Sequence, residues 1–408
     1  MRIIRTILFV IMTVQVNFSF SQDTIKVMWY NILNYPEINS ARINYLQTIL
    51  QHVKPDIFVV CEITSVSGAS TILNSALNVG TTSYAMVNYT DGPDDENMLF
   101  YNTEKLGFID QNEIPASPRQ LNEYILYYKN PNLTAASDTA YLYLYACHLK
   151  ASSDSQSAAE RAAATATLRS YLSTRTNAEN TIVGGDMNIY GSGEAAYINL
   201  TSETQANLYD PVTMPVPTPD WNDYANRMYH TQSTRTVQID GGSDGGLDDR
   251  FDMMLFSDDI RYGTNGIQFI TNSYKAVGQD GNRYNGAINS PSNTSVPANV
   301  VNALYYMSDH LPVYMDLKVG GEVGIEEQTW LEDHVMVYPN PIEDVMYVDT
   351  EGLGEVEVEL VDMSGRVMVS LSSFESWSRI DVSSFAEGSY LLRVTSKIGT
   401  VNKHVVIR

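Results

Sequence analysis

Cysteine and positive charge are both scarce in this chain of 408 residues. The two cysteines, Cys61 and Cys147, lie in strand-like apolar runs, so a disulfide framework is excluded and two buried free thiols are expected. Lysine and arginine number 25 against 48 acidic residues, which gives a formal charge of -23. That charge argues against high-affinity nucleic-acid binding driven by Lys and Arg, but it is compatible with an enzyme that meets phosphates through a bound cation.

A hydrophobic run long enough to cross a membrane is also missing. The apolar stretch Ile7 to Val14 is too short to span a bilayer. It follows Arg2 and Arg5 and precedes the small residues around Ser21, which is the order of a secretory signal peptide. We therefore predict a signal peptide at residues 1–21 and a secreted or surface-attached mature protein without a transmembrane segment.

Apolar material is plentiful, at 44% of residues, and the length favours two domains. A strand-like run at Thr24–Tyr30, a helical pattern over Ser40–Val53 and a buried run at Ile57–Cys61 predict a layered α/β domain. Further strands are predicted at 98–101, 124–128, 140–147, 181–183, 250–256 and 311–317, with a helix at 157–172 and long loops at 211–246 and 278–297.

The composition changes near Val319. Glycines and acidic residues predict a linker over 319–334, and short alternating strands separated by turn signals follow. The predicted domains are therefore an α/β domain at 22–318 and a small all-β module at 335–408.

Polar residues suited to phosphoester chemistry follow or lie within the apolar runs of the first domain. They are Asn31, Glu62, His148, Asp186, Asn188, Asp252, Asp309 and His310. Hydrolysis of a phosphodiester needs a cation on the anionic oxygens, a base near the water and neutral donors, and this set contains each type.

Taken singly, these residues have plainer interpretations. Asn31 alone fits a turn, His148 a hydrogen-bonded core histidine, Asp186 a turn after two glycines, and Asp252 a surface ion pair. The catalytic interpretation depends on the whole set and its order along the chain.

The motifs that carry this set resemble the endonuclease/exonuclease/phosphatase superfamily, which includes deoxyribonuclease, exonuclease III and neutral sphingomyelinase. The matching pieces are Trp29-Tyr30-Asn31, Pro55-Asp56-Ile57 through Cys61-Glu62, Cys147-His148-Leu149, Gly185-Asp186-Met187-Asn188, Arg250-Phe251-Asp252 and Ser308-Asp309-His310. The resemblance covers roughly residues 24 to 318. It implies a four-layered α/β-sandwich of two packed, mainly antiparallel sheets flanked by helices.

The resemblance also implies roles for the set. Glu62 is expected to be the principal metal ligand, beside Asn31 and Asp309, for Mg²⁺ or alternatively Mn²⁺ or Ca²⁺. The expected catalytic residues are His148, Asp186, Asn188, Asp252 and His310. His310 is expected to pair with Asp252, and the base that activates water is left open between Asp186 and His310.

Substrate contacts are predicted at Arg119 and Arg235, with a solvated side chain as the alternative for each. His230 and Gln232, in the same long loop as Arg235, have the same two interpretations. By analogy with family members, Asp95 or Glu96 is expected to support His148.

The tail resembles the C-terminal sorting domain of type IX secretion substrates. The matching residues are Val337-Tyr338-Pro339-Asn340-Pro341, Asp362-Met363-Ser364-Gly365-Arg366, Ile380-Asp381-Val382 and Gly388-Ser389-Tyr390-Leu391-Leu392. This resemblance implies a seven-stranded β-sandwich and passage across the outer membrane by the type IX machinery.

Together these features predict a secreted, monomeric, Mg²⁺-dependent phosphodiester hydrolase, a nuclease acting on extracellular nucleic acid. The first alternative keeps the chemistry and changes the substrate to a phospholipid, sphingomyelin or a sugar phosphate. The second is an inactive surface-binding protein that reuses the fold. The choice among DNA, RNA and other substrates, endo or exo action and the number of metals stay open.

Overall fold

The structure, a computed structural model, describes residues 23–92, 96–129, 139–175, 179–204, 206–319, 334–350, 353, 355–373, 376–396 and 400–408. The predicted signal peptide, Asp95 and linker residues 320–333 lie outside these ranges. Cys61 and Cys147 are buried free thiols, as predicted.

The first sheet has seven strands and a parallel pair near its centre. Its strands are β1 (Asp23–Tyr35), β2 (Ile57–Ile63), β3 (Tyr84–Met86) and β4 (Glu96–Asn102), with three more from later in the chain. Those three are β10 (Ile267–Phe269), β11 (Lys275–Ala276) and β12 (Val313–Val319). The order is β10-β12-β1-β2-β4-β3, with β11 also on β12, and only the β1–β2 pair is parallel among these described strands.

The second sheet has five strands in chain order. They are β5 (Leu106–Ile114), β6 (Leu121–Tyr128), β7 (Tyr141–His148), β8 (Thr181–Asp186) and β9 (Asp252–Phe256). β7 and β8 are parallel, and the other described pairs are antiparallel. Each sheet therefore contains one parallel pair joined by a helix, which is the β-α-β order predicted for the start of the domain.

Helices cover the outer faces of both sheets. They are α1 (Ile43–Val53), α2 (Val66–Ile72), α3 (Ser155–Thr174), α4 (Ala195–Thr201), α5 (Asp258–Tyr262) and α6 (Ala298–Met307). In α1, Leu46, Ile49, Leu50 and Val53 face the core at helical spacing, and Lys54 ends the helix in the left-handed conformation at φ 53°. None of the described helices has the length and apolar character that a membrane span requires.

The two sheets pack face to face through large apolar side chains. A Cβ on Gly184 of the second sheet would lie 2.9 Å from the indole of Trp29 in the first, so glycine lets the sheets approach closely here. A separate apolar cluster joins Leu168 of α3 to Tyr145 and Val183 of the second sheet. The predicted four-layered sandwich is confirmed.

The C-terminal residues form seven strands in two sheets. The strands are β13 (Met336–Tyr338), β14 (Val345–Asp349), β15 (Val356–Asp362), β16 (Val367–Ser373), β17 (Trp377–Asp381), β18 (Gly388–Ser396) and β19 (Thr400–Ile407). The sheet orders are β13-β14-β17 and β16-β15-β18-β19. Val348, Ile380, Leu360 and Leu392 from both sheets share one buried cluster, so the expected all-β sandwich is confirmed.

Several elements are absent from the sequence-based prediction. They are the strands β3, β5, β10 and β11 and the helices α2, α4, α5 and α6. Much of β5 is polar and half-buried or exposed, so its hydrophobic alternation is weak. Helix α6 follows Pro297, which provides no side-chain cap, so its start lacks the usual polar signal.

Candidate active site

The predicted polar residues meet where the two parallel strand pairs end. Asn31 and Glu62 lie near the carboxyl ends of β1 and β2, and His148 and Asp186 are the last residues of β7 and β8. Because parallel strands share their carboxyl edge, the two β-α-β units bring these four side chains to one edge of the packed sheets.

Asn31 joins the two sheets by hydrogen bonds. Its Nδ2 donates to Glu62 Oε1 at 2.7 Å and to Asp186 Oδ2 at 3.0 Å. Its Oδ1 accepts from the backbone N–H of Leu33 at 2.9 Å, which fixes the orientation of the amide. The Asn31 side chain therefore holds two carboxylates close together.

Glu62 leaves its strand in an unusual backbone conformation. Its φ is 61°, in the left-handed region, and the pairing of β2 with β4 shifts register between Val60 and Ile63. Its Oε2 accepts from the backbone N–H of Asn34 at 3.1 Å. Burial, reinforced by the negative charge of Asp309, raises the pKa of Glu62 to about 7.

Asp186 depends on a position that only glycine fits. Gly185 has φ 141°, and a Cβ there would lie 1.8 Å from the carbonyl oxygen of Cys147. Asp186 Oδ1 accepts from the backbone N–H of Asn188 at 3.1 Å, and Asn188 Nδ2 donates to the carbonyl of Leu149 at 3.1 Å. Burial raises the pKa of Asp186 to about 6, although the charge of His310 opposes this.

His148 is a neutral imidazole beside these carboxylates. Its Nε2 lies 3.5 Å from Glu62 Oε1 and 3.7 Å from Asp186 Oδ2. Burial, together with the positive charges of Arg119 and His310, holds the pKa of His148 well below 6.5. Its Nδ1 has no hydrogen-bond partner in the described part of the chain, so Glu96 does not bond to it there.

His310 is paired with Asp252, as the resemblance implied. The two side chains are 3% and 1% exposed, and Nδ1 of His310 lies 2.7 Å from Asp252 Oδ2. Nε2 of His310 lies 3.6 Å from Asp186 Oδ2. Burial alone lowers the pKa of His310, but the carboxylates of Asp252 and Asp186 outweigh it and hold the pKa well above its usual value.

Asp309 is held by the long loop that crosses the site. Its Oδ2 accepts from the backbone N–H of Ser243 at 2.7 Å and from Nε2 of Gln232 at 3.3 Å. Asp309 also raises the pKa of Glu62, which indicates that the two carboxylates are neighbours. Its predicted role as a metal ligand beside Asn31 stays a prediction.

The two predicted substrate-binding arginines have different surroundings. Arg119 is half-buried, donates to the carbonyl of Leu149 at 2.9 Å and lies near His148. Arg235 is fully buried, which lowers its pKa, and the negative charge of Asp309 is the strongest that opposes this shift. The structure brings Arg235 to Asp309 rather than to the protein surface, so its contact with substrate stays a prediction.

His230 fits neither of its two interpretations, because its side chain is fully buried. Its ring is buried, and Nε2 lies 3.0 Å from the carbonyl oxygen of Trp221. Its own carbonyl accepts from Gln279 Nε2 at 2.7 Å. His230 is therefore a hydrogen-bonded structural histidine.

The residues present fit a divalent cation. One ligand atom each from Glu62, His148 and Asp186 lies within 4.8 Å of the others. The two carboxylates are enclosed and have raised pKa values, which is the state of acidic groups whose charge is not balanced nearby. The carboxylate oxygens suit Mg²⁺, Mn²⁺ or Ca²⁺, and the imidazole of His148 is a nitrogen ligand of the kind that transition metals prefer. The sequence analysis predicted His148 as a catalytic residue and did not predict it among the possible metal ligands.

Residues 336–408 match the family described as the Secretion system C-terminal sorting domain. This domain, the sorting signal of type IX secretion, indicates a secreted or cell-surface protein. No curated protein sequence matches the chain.

Solved structures that resemble the chain include members of the endonuclease/exonuclease/phosphatase family. The Danio rerio TDP2 structure with a single-stranded DNA product is 16% identical, covering 72% of this chain and 98% of its own, with a TM-score of 0.47. The human Nocturnin catalytic domain is 18% identical, covering 72% and 97%, with a TM-score of 0.44. An endonuclease/exonuclease/phosphatase family protein from Bacteroides thetaiotaomicron is 15% identical, covering 73% and 99%, with a TM-score of 0.44.

Proposed function

We propose that the chain is a secreted phosphodiester hydrolase that depends on a divalent metal and acts on extracellular nucleic acid. The observation that carries this proposal is the meeting of two enclosed carboxylates, Glu62 and Asp186, with the Asp252–His310 pair at one edge of the sandwich. Four different strands or loops deliver these groups, which is the arrangement expected of a site rather than of a structural ion pair.

The carboxylates are the natural position for the cation. Glu62 would hold it, with Asp186, His148 or the predicted Asn31 and Asp309 as further ligands. When bound, the metal supplies positive charge that offsets the anionic oxygens of the phosphoryl group. The raised pKa values of Glu62 and Asp186 mean that protons compete for this position below neutral pH.

Asp186 is the better placed of the two candidate bases. With a pKa of about 6 it is ionised at neutral pH, and it still has appreciable affinity for a proton taken from water. His310 has a pKa well above its usual value, so it suits the role of a proton donor or a positive charge on the phosphoryl group. Its Nδ1 is occupied by Asp252, which leaves Nε2 to face Asp186.

A lipid or another apolar phosphoester is the second candidate substrate. Three aliphatic side chains that follow Asn31 and Glu62 or precede Asp309 in the chain are unusually exposed: Ile38 at 45% and Val237 at 52%, both on loops, and Val66 at 54%, the first residue of α2. Ile38 lies beside Gly241 of the loop that carries Val237, because a Cβ on that glycine would lie 3.8 Å from it. Exposed apolar surface of this kind favours binding of an apolar partner over binding of a polyanion.

A metal-titrated assay on a panel of substrates tests the proposal. Metal-stripped protein is supplied with Mg²⁺, Mn²⁺ or Ca²⁺ and offered DNA, RNA, sphingomyelin and bis-p-nitrophenyl phosphate. We expect hydrolysis of at least one diester that EDTA abolishes, and a loss of at least 100-fold in Glu62→Gln. The matched control is Glu160→Gln, on the surface of α3, which should retain full activity.

The panel also separates the alternatives. Turnover of nucleic acid supports the leading proposal. Turnover of sphingomyelin alone would mean that the enzyme is a phosphodiesterase whose substrate is a lipid. Binding of a panel member without turnover under any metal would contradict the enzymatic proposal and favour a surface-binding protein.

A further inference from the structure

Gln232 lies in the long loop but its main chain is fixed against two parts of the site. Its backbone N–H donates to the carbonyl of Asp249 at 3.1 Å. The neighbouring carbonyl of Thr231 accepts from the backbone N–H of Leu311 at 2.8 Å, which ties the segment to the residue after His310. The Cα of Gln232 is therefore held firmly, whereas its half-buried side chain extends along the site.

The amide of Gln232 connects two residues of the site. Its Nε2 lies 2.6 Å from Nε2 of His310 and 3.3 Å from Oδ2 of Asp309. Nδ1 of His310 faces the carboxylate of Asp252, so the Gln232 amide donates to Nε2 only while the ring is neutral with its proton on Nδ1. With the neutral ring the two amide hydrogens of Gln232 point to His310 and to Asp309. When His310 is protonated, only the hydrogen bond to Asp309 is kept, and the second N–H is available to another acceptor.

This contact occupies the working atom of His310. Nε2 also lies 3.6 Å from Asp186 Oδ2 and 3.5 Å from Asn31 Nδ2, so it is the ring atom that faces the gathered carboxylates. An oxygen of a substrate that reaches Nε2 must displace the Gln232 nitrogen from its position at 2.6 Å. Because the main chain is anchored, the displaced N–H group stays beside that oxygen.

We propose that Gln232 is a further catalytic residue, a neutral amide that donates a hydrogen bond to a phosphoryl oxygen of the substrate. The proposal rests on the phosphodiester hydrolase function proposed above and adds a donor to its site. A fixed donor aimed at developing negative charge typically lowers a reaction barrier by a few kcal/mol, which corresponds to about 10²–10³ in rate. An amide supplies this hydrogen bond without adding charge next to Glu62 and Asp309.

Kinetics of Gln232→Ala and Gln232→Glu test this role with bis-p-nitrophenyl phosphate and saturating Mn²⁺. The Glu variant has nearly the same shape but replaces the donor with an anion. We expect kcat to fall at least tenfold in Gln232→Ala and further in Gln232→Glu, while KM changes less than about threefold. The matched control is Gln268→Ala, on β10 opposite Lys318 and remote from Asn31, which should leave kcat unchanged.

Two further measurements separate chemistry from structure. The Mn²⁺ dissociation constant by calorimetry and the melting temperature should both be unchanged in Gln232→Ala, because the metal ligands and the main-chain pairing are kept. If the melting temperature of Gln232→Ala is lower than that of the wild type, kcat is compared between the wild type and Gln232→Glu, because the Glu variant keeps the volume of the side chain.

The outcomes distinguish this proposal from the proposed function. One outcome is that the wild type is active and both Gln232→Ala and Gln232→Glu have a kcat within twofold of the Gln268→Ala control. That outcome overturns the role of Gln232 and leaves the hydrolase function intact. Absence of turnover by the wild-type protein on every diester and metal overturns both.

Discussion

Asp252 Oδ2 lies 2.7 Å from Nδ1 of His310, and the two residues come from strand β9 and from the loop before β12. Asp252 is paired across the second sheet with Asp186, and β12 belongs to the first sheet. The contact therefore spans the interface between the sheets, and it fixes the ring of His310 relative to Asp186. Correct packing of the two sheets is a precondition for this pair.

Asp252→Asn should remove the charge that holds His310 in its reactive state. The substituted amide keeps the shape, but the pKa of His310 falls, because Asp252 is the strongest of the charges that oppose the effect of burial. We expect kcat to fall at least about 100-fold by analogy with other aspartate–histidine pairs, and the protonation step of His310 to move to lower pH. An NMR titration of the histidine ring protons measures the shift, and His404 in the tail is the internal reference.

An unchanged titration of His310 in Asp252→Asn would contradict this account of the pair. The control substitution is Asp316→Asn, which removes a half-buried carboxylate that bonds Lys26 at 2.6 Å. It should leave both the titration of His310 and kcat as they are.

The main elements of the first domain were predictable because their hydrophobic periodicity is strong. The helical pattern over Ser40–Val53 corresponds to a short 3-10 turn followed by α1, and the run at Ile57–Cys61 corresponds to β2. The polar residues at the ends of these runs could be named because strand ends in a layered α/β fold share one edge. The pairing of His310 with Asp252 came from the resemblance, since no local pattern encodes it.

Details that depend on tertiary contacts could not be predicted. Arg235 looked like a loop residue open to substrate, yet the folded loop buries it beside Asp309. The hydrogen bonds of Gln232 join residues 77 and 78 positions apart along the chain. The left-handed backbone of Glu62 is likewise invisible in sequence, because glutamate has no preference for that conformation.

Glu62→Gln and Glu123→Gln should have opposite effects on stability. Burial without a cation raises the pKa of Glu62 to about 7, so its ionised form opposes folding of the metal-free protein. Glu123 is also buried, but Arg175 and the hydroxyls of Tyr145 and Tyr171 bond to it and hold its pKa below the usual value. At pH 8 without metal, Glu62→Gln should stabilise the protein by about 1–3 kcal/mol and Glu123→Gln should destabilise it by a similar amount.

Urea unfolding of the two variants beside the wild type measures these differences in free energy. The comparison is internally controlled, because both substitutions replace one carboxylate oxygen by an NH2 group and so convert the carboxylate into a neutral amide. Destabilisation of the metal-free protein by both substitutions would show that Glu62 is balanced by a partner charge and would remove the electrostatic case for a cation there.

Metal binding should stabilise the protein more at pH 8 than at pH 5. The folded-state pKa of Glu62, about 7, lies above its usual 4.5, so its contribution to stability is present below about pH 4.5 and is lost as pH rises through 7. The raised pKa of Asp186 has the same effect: its contribution to stability is present below about pH 3.8 and is lost as pH rises through about 6. A cation replaces the lost protons, so Mn²⁺ should raise the melting temperature at pH 8 and have little effect at pH 5.

Differential scanning fluorimetry across pH 5–8, with and without Mn²⁺, measures this effect. The Glu62→Gln protein should show a much smaller increase in melting temperature with Mn²⁺ at pH 8. An equal increase at both pH values in the wild-type protein would place the ion away from Glu62 and Asp186.

Gly185→Ala should disable the site by disrupting the end of β8. The new Cβ would lie 1.8 Å from the carbonyl oxygen of Cys147, and the φ of 141° is one that alanine rarely adopts. The parallel pairing of Cys147 with Gly185 would have to open, which displaces His148 and Asp186 together. We expect a loss of about 3 kcal/mol or more in stability, measured by urea unfolding, and loss of activity in any fraction that folds.

Gly245→Ala is the matched control, because φ is 111° there but no atom lies within 4 Å of the added carbon. It should cost only the backbone strain, about 1–2 kcal/mol, and keep kcat; equal losses in the two variants would mean that conformation rather than the contact with Cys147 requires glycine at 185.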